Sequence, residues 1–331
     1  MQGSILMSLV GVMAISCACA RSDSSERWPT QPVRVVVPFG AGSGSDAVMR
    51  LLTPRLSAQW GQAVVVDNRP GADGVVGVQA FLSAKDRHTL LFTPSGQVTL
   101  NPLLHHPPPY DATRDLVPVA AAVDPSIGIA VTDHLPVHSL SDLVGLAQHR
   151  PGAYVWAAVP GLPEVLFRAF LELERIPVRH AAYRDMSTAV QDLNAGRLHV
   201  MVAAVATLSP SLQTGSSRLL AVTNSARVSA HPDVPTAAEA GYPALAVDGK
   251  WGFFGRRDMP IELRDRIAAD VRHALDDREL ARRLSAMGLT AAPGTAAEFA
   301  SAFDIQREQI SRLVKIVGIG PVPGENSRGH R

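Results

Sequence analysis

The chain has 331 residues, of which 46% are hydrophobic and 18% charged, with a formal net charge of +1. This is enough for two globular domains with sizeable cores, at the usual ~150 residues each. The near-neutral balance supplies no global field for nucleic acid or a membrane surface, and an aromatic content of 5% is thin for a protein that stacks bases.

Residues 1–20 carry no charged side chain, and within them 5–16 is a mostly apolar run. Ala18-Cys19-Ala20 fits a small-x-small cleavage site before Arg21. The pattern predicts a secretory signal peptide over 1–20, too short to span a bilayer, although no Lys or Arg precedes the apolar run. Both cysteines, Cys17 and Cys19, fall inside it, so cleavage after Ala20 leaves no disulfide and no thiol chemistry. A lipid anchor at one of these cysteines is the rival reading, with Ala14-Ile15-Ser16 a poor attachment signal.

The next segment, residues 33–46, reads VRVVVPFGAGSGSD. A β-branched run ends in Pro38-Phe39, the glycines Gly40, Gly42 and Gly44 follow, and a helical pattern starts at Asp46. A helix start leaves N–H groups without partners and carries partial positive charge. Glycines let a ligand approach the backbone, so the segment predicts an anion site. Ser43 and Asp46 also fit a capping box, in which Asp46 stabilises its own helix. The other role for Asp46 is to meet an ammonium group on the ligand.

Further along, strands are predicted at 33–37, 63–67, 89–93, 127–131, 154–158, 200–204, 219–223 and 251–254. Helices are predicted at 46–59, 75–84, 140–148, 163–173, 187–194, 260–275, 278–287 and 296–317. Their alternation indicates an α/β protein with mostly parallel sheets. Thr295 and Glu298 form a capping box for the last helix, and Gly318 ends it. Residues 319–331, rich in Gly, Pro and polar side chains, are expected to form a disordered tail.

Most catalytic patterns are absent from the sequence. It holds no G-x-S-x-G elbow, H-E-x-x-H helix, EF-hand loop or Walker A loop. His105-His106 lies against Pro107-Pro108-Pro109 in an expected loop, and Pro136 separates His134 from His138, so no metal site is expected. One enzyme pattern survives. Residues 42–47 read G-x-G-x-x-A, with Asp67 placed 23 residues beyond Gly44, close to a dinucleotide fingerprint. The alternative function is therefore an exported α/β enzyme that uses the turn from Gly42 to Ala47 to bind a nucleotide cofactor. Against it, no later segment looks like a hydride-transfer site.

An ordered series of segments resembles one family. Trp28-Pro29 and Pro32 through Phe39 look like its opening strand, and Gly42, Ser45 and Asp46 match its P-F-x-x-G-G-x-(S/T)-D turn, with Ser43 replacing a glycine. Gly61-Gln62 and Val64 through Ala72 are similar to its G-Q-x-V-V-V-E-N-R-P-G-A block. Thr89-Leu90-Leu91, Asn101-Pro102, Tyr110-Asp111 and Asp115 through Val119 follow in order. Leu220 through Thr223, Arg227, Pro232 through Thr236 and Glu239 through Pro243 complete it. Over roughly 28–319 the chain thus resembles the periplasmic solute receptors of the tripartite tricarboxylate transporter system, the Bug receptors.

The resemblance implies a two-lobed periplasmic binding protein, with residues 28–127 and 248–318 in one lobe and 128–247 in the other. It implies a non-enzymatic receptor in the periplasm, without a cofactor, that captures a small carboxylate or amino-acid-like ligand for uptake or sensing. The implied partners are membrane transporter subunits or a sensor kinase, with a monomeric receptor and no nucleic acid. The family grips its ligand with the loops after two strands, here 39–46 and 159–163, and a third wall near 93–97. The expected ligand-binding residues are accordingly Phe39, Ala41, Gly42, Ser43, Gly44, Ser45, Asp46, Pro94, Ser95, Ala158, Val159 and Gly161.

Two stretches depart from the family pattern. The second loop, Ala157 through Glu164, loses the usual hydroxyl donors, gains Pro160 and Pro163, and has Glu164 near a usual His. Gly255 through Pro260 replaces an A-P-A-G-T-P-like stretch. If Asp46 and Glu164 both line the cleft, they favour a monocarboxylate or zwitterion over citrate.

Overall fold

A computed structural model describes residues 28–183, 185–319 and 322–323. The expected signal peptide, Cys17 and Cys19 lie outside the described residues. The chain first builds β1 (Val33–Val37), α1 (Gly44–Trp60), β2 (Val64–Asn68), α2 (Val75–Ser83), β3 (Thr89–Pro94), α3 (Ser95–Leu104), β4 (His105–His106), α4 (Ala112–Asp115) and β5 (Leu116–Pro125). It crosses at Ser126 into β6 (Ile127–Thr132), α5 (Leu140–His149), β7 (Val155–Ala158), α6 (Leu162–Leu173), β8 (Arg179–His180), α7 (Met186–Asn194), β9 (Val200–Ala204), α8 (Val205–Gln213) and β10 (Ser217–Val222). It returns through residues 223–250 to β11 (Trp251–Arg256), α9 (Ile261–Leu275), α10 (Arg278–Ala286), β12 (Leu289–Ala291), α11 (Ala296–Val317) and β13 (Val322–Pro323).

The two lobes are built on two sheets, ordered β12-β5-β11-β3-β1-β2 and β10-β6-β9-β7-β8. Strand–helix alternation suggests mostly parallel sheets, but both are mixed. Within these two sheets, among the described residues, the β1–β2, β1–β3, β7–β8 and β7–β9 pairs run parallel and the rest antiparallel. The departures come from the crossing strands: β11 runs antiparallel to both β3 and β5, and β6 antiparallel to both β9 and β10.

Local signals start and stop the helices. Ser43, Ser139, Asp185 and Asp277 each accept a first-turn N–H. Thr295 and Glu298 form the predicted capping box, and Gly318 ends α11 at φ 67°. The crossing is tied by the Asn224 amide, which donates to the Pro125 carbonyl at 3.0 Å, and by Lys250, 2.9 Å from Asp124.

Helix α11 belongs to both lobes. Phe299 and Phe303 pack against Phe254 in the first lobe. Ile310, Leu313 and Val314 are buried in the core of the second, with Phe167 and Phe170 of α6. Leu100 of α3 joins that same core. The ends of α11 and α3, through Val317, Ile319, Leu103 and Leu104, lie against it together. That delivers the chain to a position where Val322–Pro323 pairs in parallel with His105–His106. This corrects two sequence expectations, the loop at His105-His106 and a tail without structure from residue 319. The other residues of that tail beyond Ile319 lie outside the described residues.

Truncating Ile310, which has no exposed surface, should leave a cavity at the junction of α11 and the second lobe. Ile310→Ala is expected to cost about 2–5 kcal/mol in urea unfolding. A loss below ~1 kcal/mol would mean that α11 is not anchored there.

Candidate functional site

Four strands, β1, β3, β7 and β9, run in parallel pairs and hand over at their carboxyl ends to α1, α3, α6 and α8. After β1, Gly42 adopts φ 84°, which turns the chain sharply enough for Ser43 to cap α1. The Ser43 hydroxyl accepts the Asp46 N–H at 3.3 Å, and the Ser43 N–H donates to the Gly40 carbonyl at 3.1 Å. Asn68 steadies the turn from β2 by donating to the Phe39 carbonyl at 3.1 Å. Ala41, Gly42 and Gly44 are exposed, Phe39 and Ser43 are half-buried, and Ser45 and Asp46 are buried.

Asp46 is occupied by its own helix. Its Oδ2 accepts the Gly42 N–H at 2.9 Å and the Arg50 Nε–H at 2.8 Å. The bond from Arg50, opposed by burial and helped by the Gly42 N–H, holds the carboxyl below the usual carboxylate range. With 2% of its surface exposed, Asp46 lies under the turn, where it braces the loop.

Trp251 brings the first two walls together. A Cβ on Gly44 would lie 2.9 Å from its ring, and in the sheet Trp251 stands opposite Pro94. Pro94 ends β3 and Ser95 begins α3 with no loop between, the Ser95 N–H donating to the Lys250 carbonyl at 2.7 Å. The next residue reaches the other lobe. A Cβ on Gly96 would lie 3.1 Å from Leu162 of α6, and one on Gly161 would lie 3.8 Å from the Gln97 Oε1. The N-termini of α1, α3 and α6 therefore converge.

On the second lobe the expected residues separate. Gly161, at φ 100° and ψ −138°, starts α6 and faces α3. Ala158 is buried with Leu162 in the core beneath. Val159 turns away: its N–H donates to the Val202 carbonyl at 3.0 Å and its side chain packs on the opposite face of the sheet. The continuation of the β7–β9 pairing consumes that N–H, so it is not offered to a ligand. Glu164 is bound by Arg168 at 2.7 Å, with His180 3.9 Å away. Asp46 and Glu164 are thus both neutralised within the chain.

Among the described residues, no hydrogen bond within the chain takes the N–H groups of Gly44, Ser45 or Glu164. Neither α3 nor α6 has a side-chain cap. The nucleotide reading fares worse, since Asp67 is paired with Arg69 at 2.9 Å and stands 3.6 Å from Arg34 instead of facing a ribose. Gln97 ends the expected third wall at 93–97 without being named among the ligand-binding residues, and Trp251 is absent from both. Gly96 and Pro102 disguise the helix that carries Gln97.

A model of the tripartite tricarboxylate transporter family receptor matches residues 48–319. A UPF0065 protein of Bordetella bronchiseptica is 31% identical over 311 residues, covering 94% of this chain and 92% of that protein. Among solved structures, R. palustris Rpa4515 with adipate is similar at a TM-score of 0.74 and 27% identity, covering 89% of this chain and 100% of that one. MatC (Rpa3494) from Rhodopseudomonas palustris with bound malate is similar at a TM-score of 0.68 and 26% identity, covering 88% and 100%.

Because the folded pKa of Asp46 is depressed, its stabilising effect is present above the unfolded value near 4 and is lost as pH falls through the folded value. Asp46→Asn should cost about 1–3 kcal/mol at pH 7, through the lost charge-assisted bonds to Gly42 and Arg50. The gap between the two unfolding curves should narrow steadily below pH ~4. A gap that stays constant down to pH ~2 would show that the ionised carboxylate is not what holds the turn.

Proposed function

The chain belongs to the tripartite tricarboxylate transporter receptor family, and on that premise we propose that it is an exported, non-enzymatic receptor that takes a small carboxylate between its lobes. The observation that carries this reading is the convergence of the starts of α1, α3 and α6, where the N–H groups of Gly44, Ser45 and Glu164 have no partner among the described residues. A carboxylate supplies the missing acceptors, and the aligned peptide dipoles favour its charge. The adipate and malate held by two R. palustris relatives support a carboxylate over a nucleotide. The ion pairs of Asp67 argue in the same direction.

The lobes that close are residues 28–127 with 248–318, and 128–247, with the C-terminal half of α11 and Leu100 of α3 reaching from the first into the core of the second. Closure about the crossing at Ser126 and 223–250 excludes water, and the bonds to the carboxylate strengthen as the local dielectric falls. The place of action is the periplasm, and among the described residues no helix is long and apolar enough to cross a membrane. Delivery is to membrane transporter subunits or a sensor. The case for a zwitterion over citrate loses its first support, since Asp46 and Glu164 answer to Arg50 and Arg168.

Two measurements test this. Gly42→Val places a β-branched residue at φ 84°, in an otherwise open space where the ligand backbone contacts are needed. Calorimetry with adipate and malate should show affinity at least tenfold lower than in the parent, or ~1.4 kcal/mol. Unchanged affinity in a folded variant would move the site elsewhere. N-terminal sequencing of the protein from a periplasmic extract should begin at Arg21. An intact Met1 in the cytoplasm would overturn export, and a lipid-modified Cys17 or Cys19 would establish the anchored form.

A further inference from the structure

Gln97 is the third residue of α3, half-buried at the boundary between the lobes. Chemistry fixes which way its amide points. The Asp73 carbonyl can only accept, so the group facing it is Nε2, which donates to it. Nε2 also stands 3.4 Å from the Asn101 Oδ1, and the Asn101 amide nitrogen donates to the same Asp73 carbonyl at 2.9 Å. That carbonyl is itself held in place, because Gly71, Ala72, Asp73 and Gly74 all have positive φ (136°, 45°, 51° and 90°). An irregular turn of this kind has few alternative positions for its carbonyl.

With Nε2 committed, Oε1 is left as an acceptor without a partner among the described residues. It faces across the lobe boundary toward Gly161, 3.8 Å from where a Cβ would stand. The surrounding helix starts offer N–H donors, so Oε1 is an acceptor set among donors. The carboxylates at the starts of α1 and α6 are held by their own helices: Asp46 Oδ2 accepts from Gly42 and Arg50 while its Oδ1 is buried, and Glu164 Oε1 is bound by Arg168.

We propose that the Gln97 Oε1 determines ligand choice in the cleft, selecting carboxylates that carry a hydroxyl or ammonium donor beside the carboxylate over those with a methylene there. This rests on the receptor reading above. When the lobes close on a plain aliphatic acid, Oε1 loses water and gains nothing. When they close on a hydroxy or amino acid, it accepts the donor. Sites built around a polar partner reject ligands that leave it unpaired far more strongly than apolar pockets reject an extra methylene. The pinned Nε2 prevents the amide from flipping to suit either ligand.

Succinate, malate and aspartate differ only in the substituent on one carbon, so they isolate this contact. Calorimetry on the full chain should show malate or aspartate binding at least tenfold more tightly than succinate. In Gln97→Met, which keeps length and loses the acceptor, that ratio should fall to within about threefold, with succinate affinity unchanged or improved. A purely structural role for Gln97 would weaken all three ligands together and leave the ratio intact, which would overturn the proposal. Gln97→Glu keeps an acceptor and should retain the preference for aspartate over succinate; its loss there would also count against the assignment. If the parent protein binds succinate and malate equally, the Gln97 proposal falls and the receptor reading stands. If it binds none of the three acids and not adipate, both fall.

Discussion

A helix begins with N–H groups that nothing in the helix can satisfy, and the arrangement of this protein follows from where those beginnings are placed. In each sheet one parallel pair, β1 with β3 and β7 with β9, ends on the side facing the other lobe. Each strand passes directly or through a short turn into a helix. An open α/β sheet has its crevice at the carboxyl ends of its strands. Setting two such crevices face to face brings several positive helix ends into one space without a single lysine or arginine in residues 39–46 or 159–164.

Neutral donors suit a ligand that must be both held and released. A guanidinium clamp grips a carboxylate in a fixed bidentate geometry, whereas backbone N–H groups give weaker and more numerous bonds. The acids closest in sequence to the turns do not spoil this arrangement. Arg50 answers Asp46 and Arg168 answers Glu164, each from one turn further along the same helix. Both pairs leave the helix start free of net negative charge, and Asp46 also braces the loop before α1 through the Gly42 N–H.

Much of the first lobe could be read from sequence because its signals are local. The run of β1, the glycine turn and the Ser43 cap are written within 14 consecutive residues, and the Thr295–Glu298 box was equally plain. The β-branched strands 33–37 and 200–204 coincide with β1 and β9. What was not legible shares one cause. Helices α3 and α8 carry Pro102 and Pro210 and start with no connecting loop, so neither a cap nor a turn announces them. Strand β5 contains Pro118, which a sheet interior resists; it is tolerated at a register shift opposite Phe254. Long-range pairings, such as Val322–Pro323 with His105–His106 or Val159 with Val202, leave no mark on a single sequence. Gln97, which that reading reached only as the edge of the 93–97 wall, and Trp251, which it did not place in the site, lie on those same unannounced elements or opposite them.

The sharing of α11 between two cores bears on how the protein comes apart. Two lobes joined only by crossing strands would be free to melt one after the other, each with its own midpoint. Here loss of the second lobe strips Ile310, Leu313 and Val314 of their packing, and loss of the first does the same to Phe299 and Phe303. Neither lobe can dissolve without leaving half of a 22-residue helix exposed. That penalty merges two units into one cooperative transition. Energy gained anywhere in the cleft is thereby distributed over the whole chain, and heat or a protease encounters a single barrier instead of two lower ones.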